Sequence, residues 1–256
     1  CHPTVIKPDN LSYSAGYPGF FCREVTGSIA GEPEVLFANG CTGDLNSPLK
    51  GGFEEAKSVA SALAHAVLEV VTDGRRSPVV ARPLAVSSRT VTLPLDPVIV
   101  PANADAMLGE ATEHARRLKE AGGSAREVKM HETFARWAAL MAKRMEDGTF
   151  EDTITVEIRI ATIGSLTIVA LPFEAFHEIG LALKEHFGLG STMVFGYANG
   201  LYGYFPTERH YDIATYETTR AFKYYGYPGP LQRGSEHILI DGIVAAAPDT
   251  REDERE

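Results

Sequence analysis

Thr153-Ile154-Thr155-Val156-Glu157-Ile158-Arg159-Ile160-Ala161-Thr162-Ile163-Gly164-Ser165-Leu166-Thr167-Ile168-Val169-Ala170-Leu171-Pro172 decides how this chain folds. Val156, Ile158 and Ile160 alternate with Glu157 and Arg159, the period of two expected of a strand with one wet face. Gly164-Ser165 offers a turn, and residues 166–171 return nearly all apolar, as a strand flanked on both sides does. The spacing predicts a half-exposed strand paired with a central one.

Downstream, Pro172 closes the second strand and residues 174–187 read as an amphipathic helix offering Phe176, Ile179, Leu181 and Leu183 to a core, stopped by Gly188-Leu189-Gly190. Residues 191–198 read as another buried strand ending at Asn199-Gly200. An irregular, aromatic-rich stretch follows to Pro230, then a last apolar segment over 238–247 and a charged tail over 249–256. Upstream, residues 101–148 are rich in Ala, Glu, Lys, Arg and Met and are split by Gly122-Gly123-Ser124, which predicts a helical hairpin inserted beside the sheet. Residues 78–95 alternate as a strand pair or one long bent strand, with Val91 and Leu93 on one face and Thr90 and Thr92 on the other. Residues 53–73 predict a half-buried helix through Val59, Leu63, Val67 and Val70. The opening forty-odd residues read as loop, helix and strand, the strand being Val35-Leu36-Phe37-Ala38. Strands and helices mix without steady βαβ alternation, so the expected class is α/β in mixed layers, with residues 1–248 as one domain.

The 256 residues are 44% hydrophobic and 23% charged, which excludes a disordered, collagen-like or coiled-coil chain. A net charge of −10 argues against nucleic acid as a partner, and no apolar run approaches the length of a transmembrane segment, so a soluble chain is expected. Three cysteines without Cys-x-x-Cys spacing suit neither a disulfide framework nor a cysteine-built zinc site. Reduced, cytoplasmic thiols are the plain expectation. Secretion stays open, because an opening Cys1-His2-Pro3-Thr4 without Met reads as a fragment or a cleavage product.

Four places offer chemistry, each with a structural reading beside the functional one. His2 is either a metal ligand or a hydrogen-bonded structural residue. Gly43-Asp44 lies in a tight loop, Gly43-Asp44-Leu45-Asn46-Ser47-Pro48, that is either a turn or an orienting element. Glu174, expected at a helix start where the dipole favours a carboxylate, shares a face with His177 at the i, i+3 spacing used by carboxylate metal sites. Tyr202, Tyr204, Tyr211 and Tyr216-Glu217 either pack or line a polar pocket.

Taken in order, Cys1-His2-Pro3-Thr4, Pro8-Asp9-Asn10, Tyr17-Pro18-Gly19, residues 35–39 running into Gly43-Asp44-Leu45-Asn46, Leu171-Pro172-Phe173-Glu174, and the run from Asn199 through Tyr204, Pro206 and Thr207 to Tyr216-Glu217 resemble the neutral/alkaline non-lysosomal ceramidase family, in its bacterial members of undefined substrate. The hairpin over 101–148 lies outside the resemblance.

That resemblance implies an α/β/β/α layered sandwich and a zinc amidohydrolase of lipid metabolism that cleaves the linear C–N bond of an N-acyl small molecule. By motif, His2, Glu174 and Tyr204 are the metal ligands, around one Zn²⁺, and Tyr216 contacts the reacting carbonyl. The family's first metal histidine precedes the segment matching His2, so an upstream segment or companion chain is expected to complete the site. Its serine nucleophile falls on Asn46, with Ser47 one residue later, and its immunoglobulin-like C-terminal domain has no counterpart here. Two alternatives stay open: a self-processed N-terminal nucleophile amidohydrolase, in which the new α-amine activates the Cys1 thiol, and an inactive binding module.

Overall fold

A computed structural model describes residues 1–74 and 84–248. The expected charged tail over 249–256 and the start of the alternating stretch over 78–95 lie outside the described residues. In chain order the elements are α1 (Gly16–Ser28), α2 (Phe53–Thr72), β1 (Leu84–Pro94), α3 (Ala104–Glu120), α4 (Ala125–Glu146), β2 (Thr153–Ile163), β3 (Leu166–Ala170), β4 (Glu174–Ala175), α5 (His177–Phe187), β5 (Thr192–Phe195), β6 (Tyr204–Phe205), α6 (Tyr216–Thr219) and α7 (Ser235–Val244). Short 3₁₀ turns over Glu208–Tyr211 and Ala221–Tyr225 interrupt the last third.

The sheet runs β1-β2-β3-β5, antiparallel across the first two pairings and parallel across the last, so the class is α/β. Register carries the alternation across strands. Ile160 lies beside Val169, and Val169 beside Val194, while Val91 faces Val156 and Leu93 faces Ile154. All seven are buried on one face, covered by Ile179 and Leu183 of α5 and by Leu239 and Ile243 of α7. Burying each such side chain contributes about 1.5–3 kcal/mol relative to leaving it in water. The opposite face of β1 and β2 is wet. It carries a Thr92–Thr155 hydroxyl contact of 3.1 Å and an Arg159–Glu157 ion pair of 3.0 Å. Outside this sheet, the strand pairing among the described residues consists of the two-residue pair β4–β6 and isolated bridges, so a second sheet layer is represented only by that pair.

Helices α3 and α4 form the expected hairpin. Ser124 caps α4, its hydroxyl accepting from the Glu127 amide while the Glu127 carboxylate returns to the Ser124 amide. The hairpin has its own small core, in which Ile99, Trp137 and Met141 meet Phe222, and the Trp137 indole donates to Tyr227 O at 2.6 Å.

Four expectations change. The helix expected over 174–187 begins at His177, because the amides of Glu174 and Phe176 donate to Gly203 O (2.8 Å) and Phe205 O (3.0 Å), which makes residues 174–175 a strand. Glu174 and His177 therefore share no helix face, and Leu181 is exposed. Val35-Leu36-Phe37-Ala38 alternates inward and outward but joins no ladder; its inward Phe37 packs on Tyr17 and Phe21 of α1. The strand expected over 191–198 shortens to β5, an edge strand with Met193 facing out. On α2 the buried stripe is Ala56, Ala60 and Ala64, since small side chains let α1 approach closely, while Leu63, Val67 and Val70 are left partly in water. No helix among the described residues is long and apolar enough to cross a membrane.

Candidate active site

The parallel pair β3–β5 sets the stage. Segments leaving the carboxyl ends of parallel strands are where α/β sheets collect binding groups, because backbone ladders end there and side chains become free to converge. Glu174 follows β3 and Tyr197 follows β5, the two segments being stitched by Tyr197 N to Phe173 O at 3.1 Å. The parallel pairing of Glu174 with Tyr204 then puts those two side chains on the same side. Gly203 makes this possible. Its φ of 113° suits a residue without Cβ, and its carbonyl accepts the Glu174 amide at 2.8 Å.

His2 enters from the far end of the chain. Its amide donates to Leu45 O at 2.8 Å, and the Gly43 amide donates to Ala175 O at 2.8 Å, so the N-terminal strand of backbone is laid along the 43–51 loop and that loop along β4. In consequence His2 Nε2 stands 3.8 Å from Glu174 Oε2 and 3.1 Å from Gly43 O, with Nδ1 3.0 Å from the Tyr197 hydroxyl. His2 and Glu174 are each 9% exposed.

Phenols surround the carboxylate. Tyr197 donates to Glu174 Oε2 at 3.2 Å and Tyr225 to Oε1 at 2.7 Å, while the Tyr204 ring lies 6.1 Å from that of His2. Burial, reinforced by the Glu174 charge, pushes the Tyr197 hydroxyl up to about 12 and holds Tyr204 and Tyr225 far above the ordinary phenol range. All three are therefore hydrogen-bond donors at neutral pH. Tyr216 sits at the rim, 46% exposed, its ring 5.9 Å from that of Tyr204.

Sequence reasoning singled out His2, Glu174, Tyr204 and Tyr216, and the structure brings them together. It missed Tyr197 and Tyr225, which hydrogen-bond Glu174 across 23 and 51 residues of chain. Tyr197 carried one signal, a position just before Asn199-Gly200, and its φ of 58° is a left-handed conformation that costs a non-glycine residue about 1 kcal/mol or more.

The other candidates face elsewhere. The Asp44 carboxylate receives the His177 amide at 2.9 Å and meets its Nδ1 at 2.5 Å, forming a separate pair at the head of α5. Asn46 Oδ1 accepts from the Thr4 hydroxyl at 3.0 Å, and the buried Ser47 hydroxyl accepts the Leu49 amide at 3.2 Å. Tyr211 is anchored on Leu231 O. Cys1 packs against the α1–α2 cluster, its thiol 3.9 Å from the Tyr17 hydroxyl. Cys41 lies against Gly180, and burial pushes its thiol up to about 12. Cys41 is therefore expected to resist iodoacetamide at pH 8 in the native protein and to react on unfolding, as read by peptide mass mapping; fast native labelling would contradict this burial.

The donor set suits a zinc ion. Imidazole nitrogen and carboxylate oxygen 3.8 Å apart are a separation that two zinc bonds of about 2.0–2.2 Å can span, with the Tyr204 phenol beside the same carboxylate. Among the described residues no Lys or Arg pairs with Glu174, so a cation there meets an uncompensated buried charge. A second group, Glu208, Glu236 and His237, brings three ligand-type atoms within 4.8 Å of one another, but it lies largely in solvent beside Arg233.

Among solved structures, the chain is similar to a neutral ceramidase from Pseudomonas aeruginosa and to a ceramidase complexed with C2, each at a TM-score of 0.58 and 14% identity. Both alignments cover 95% of this chain and, respectively, 42% and 44% of those chains, so the chain spans less than half the length of these relatives. Likeness at this identity establishes the shared fold. No protein-family model matches the sequence, and no curated protein matches it significantly.

Proposed function

We propose that the chain is an amide hydrolase of neutral ceramidase type that uses zinc held by His2, Glu174 and Tyr204, together with a histidine from a segment preceding Cys1, to cleave the C–N bond of an N-acyl compound. The observation that carries this reading is the convergence of those three side chains, with His2 arriving from more than a hundred residues before the paired Glu174 and Tyr204, in a fold shared with neutral ceramidases. Nitrogen and oxygen ligands with an open position are the pattern of catalytic zinc sites, and such an ion would supply a water acidified toward pKa of about 7 and a Lewis acid for the amide oxygen.

The chain's own residues have definite tasks. Tyr197 and Tyr225 fix both carboxylate oxygens of Glu174, and Tyr197 also orients the His2 ring through Nδ1. Tyr216 is half-exposed beside Tyr204, so its hydroxyl is the donor available to the oxygen that gains charge as the carbonyl becomes tetrahedral. Asn46 is turned to Thr4 and, as a carboxamide, supplies no nucleophile.

The test is release of free amine from N-acyl amines, including a short-chain ceramide. Turnover should vanish with a chelator, return with zinc and survive thiol alkylation. Loss on alkylation with indifference to chelation would instead establish the Cys1 nucleophile, and no turnover without bound metal would leave a binding module.

A further inference from the structure

Away from the His2–Glu174 site, α3, α4 and the Ala221–Tyr225 turn enclose a groove of about 420 Å³, a size that holds a small organic ligand. Met107, Met130, Phe134 and Trp137 give it an apolar floor. Its ionisable lining runs against the character of the whole chain. In a protein of net charge −10, the groove presents Arg220, Lys223, His114 and His131 against Glu110 alone.

The two full cations are uncompensated. Among the described residues neither Arg220 nor Lys223 forms an ion pair, although Lys and Arg on the neighbouring hairpin do, as Arg116 does with Glu113 at 2.8 Å and Lys143 with Asp147 at 2.9 Å. Lys223 is instead laid over aromatic faces, its Nζ 4.6 Å from the Phe134 ring centre and 4.9 Å from that of Trp137. Burial, with a smaller contribution from the Arg220 charge, lowers the Lys223 pKa. His114 and His131 lie at the groove wall with ring centres 4.1 Å apart, and burial lowers the His131 pKa. A chain that holds two like charges together over an aromatic floor gains from an anion that lies between them.

From this juxtaposition we infer that the hairpin groove is a binding site for an amphiphilic carboxylate, its anionic head held by Arg220 and Lys223 and its aliphatic body laid on Phe134, Trp137 and the two methionines. The planar guanidinium of Arg220 matches a carboxylate in two-point contact, and Lys223 adds a point charge. A bare anion would leave the apolar floor in water, and an uncharged amphiphile would leave the cations unpaired. The ligand class follows from needing both. Ring contacts, Tyr204 to Tyr216 at 5.9 Å, Tyr216 to Tyr224 at 6.5 Å and Tyr224 to Phe134 at 5.7 Å, join this groove to the rim of the Glu174 site, yet its chemistry stands whether or not that site hydrolyses amides.

The experiment is isothermal calorimetry of the intact chain with decanoate, decanol and acetate, each below its aggregation concentration, with emission from Trp137, the only tryptophan, as a local reporter. Saturable decanoate binding that shifts Trp137 emission is expected, at least about tenfold tighter than either decanol or acetate, since a charge-assisted hydrogen bond is worth that much. Arg220→Met with Lys223→Met keeps the apolar stems and should weaken decanoate about tenfold or more while leaving decanol unchanged. Should the double variant fail to fold, Arg220→Gln alone, on an exposed side chain, should still weaken decanoate measurably. No decanoate binding, equal binding of decanol, or decanoate affinity indifferent to Arg220→Gln would each overturn the inference.

Discussion

Glu174→Gln is expected to leave a folded protein whose amide hydrolysis has fallen by roughly a hundredfold or more, a loss larger than the 10- to 100-fold typical of removing a group that only orients a metal ligand. The substitution keeps the volume and one carbonyl oxygen. Tyr197 and Tyr225 each retain a hydroxyl that can accept as well as donate, so the new amide N–H finds a partner and the strand pairing of β4 with β6 is undisturbed. What disappears is the negative charge that faces His2. Tyr225→Phe is the graded control. It removes one hydrogen bond to the carboxylate at 2.7 Å and should cost about tenfold, with the charge intact. Steady-state kinetics on the two variants, with thermal melts beside them, check the pair. Equal losses from both, or a Glu174→Gln protein of unchanged turnover, would remove Glu174 from the chemistry.

Gly43→Ala is expected to damage stability and site together. A Cβ at Gly43 would stand 2.3 Å from Glu174 O and 2.8 Å from Phe176 Cδ1. The first of these is backbone, so no side-chain rotation relieves the overlap. The loop must move instead, which breaks the hydrogen bond that the Gly43 N–H donates to Ala175 O and displaces the carbonyl facing His2 Nε2. Overpacking of this kind costs about 1–3 kcal/mol. For a chain of this size that lowers Tm by about 2–4 °C for each kcal/mol. Because His2 and Glu174 rest on opposite sides of the same loop, turnover should fall further than stability does. Differential scanning calorimetry and activity at a temperature well below Tm separate the effects, and a variant with native Tm and native turnover would show that the loop is not held as described.

The sequence was most legible where one period dominated. β2 shows its alternation in Val156, Ile158 and Ile160 because one face meets α7 and the other meets water, and the hairpin shows itself because Gly122-Gly123-Ser124 interrupts an otherwise helical composition. Legibility failed where tertiary contacts outrank local pattern. Nothing in Glu174-Ala175 marks a strand, since its partner lies some thirty residues on at Tyr204-Phe205 and the pairing is two residues long. On α2, hydropathy favours Leu63 and Val67, yet the closest helix contact selects Ala56, Ala60 and Ala64 because size rather than hydrophobicity limits approach. The candidate site divides the same way. His2, Glu174 and Tyr204 were accessible through a family resemblance of motifs, whereas Tyr197 and Tyr225 act on Glu174 through side-chain hydrogen bonds that leave no spacing to read.

The most direct test of the proposed centre is the zinc content of the purified chain, measured by elemental mass spectrometry after dialysis against zinc and then buffer, for the native sequence and for Glu174→Gln and Tyr204→Phe. About one zinc per native chain, falling sharply in both variants, is the predicted result for a site in which Glu174 and Tyr204 are ligands. Zinc absent from the native chain, or retained equally by the variants, would contradict it.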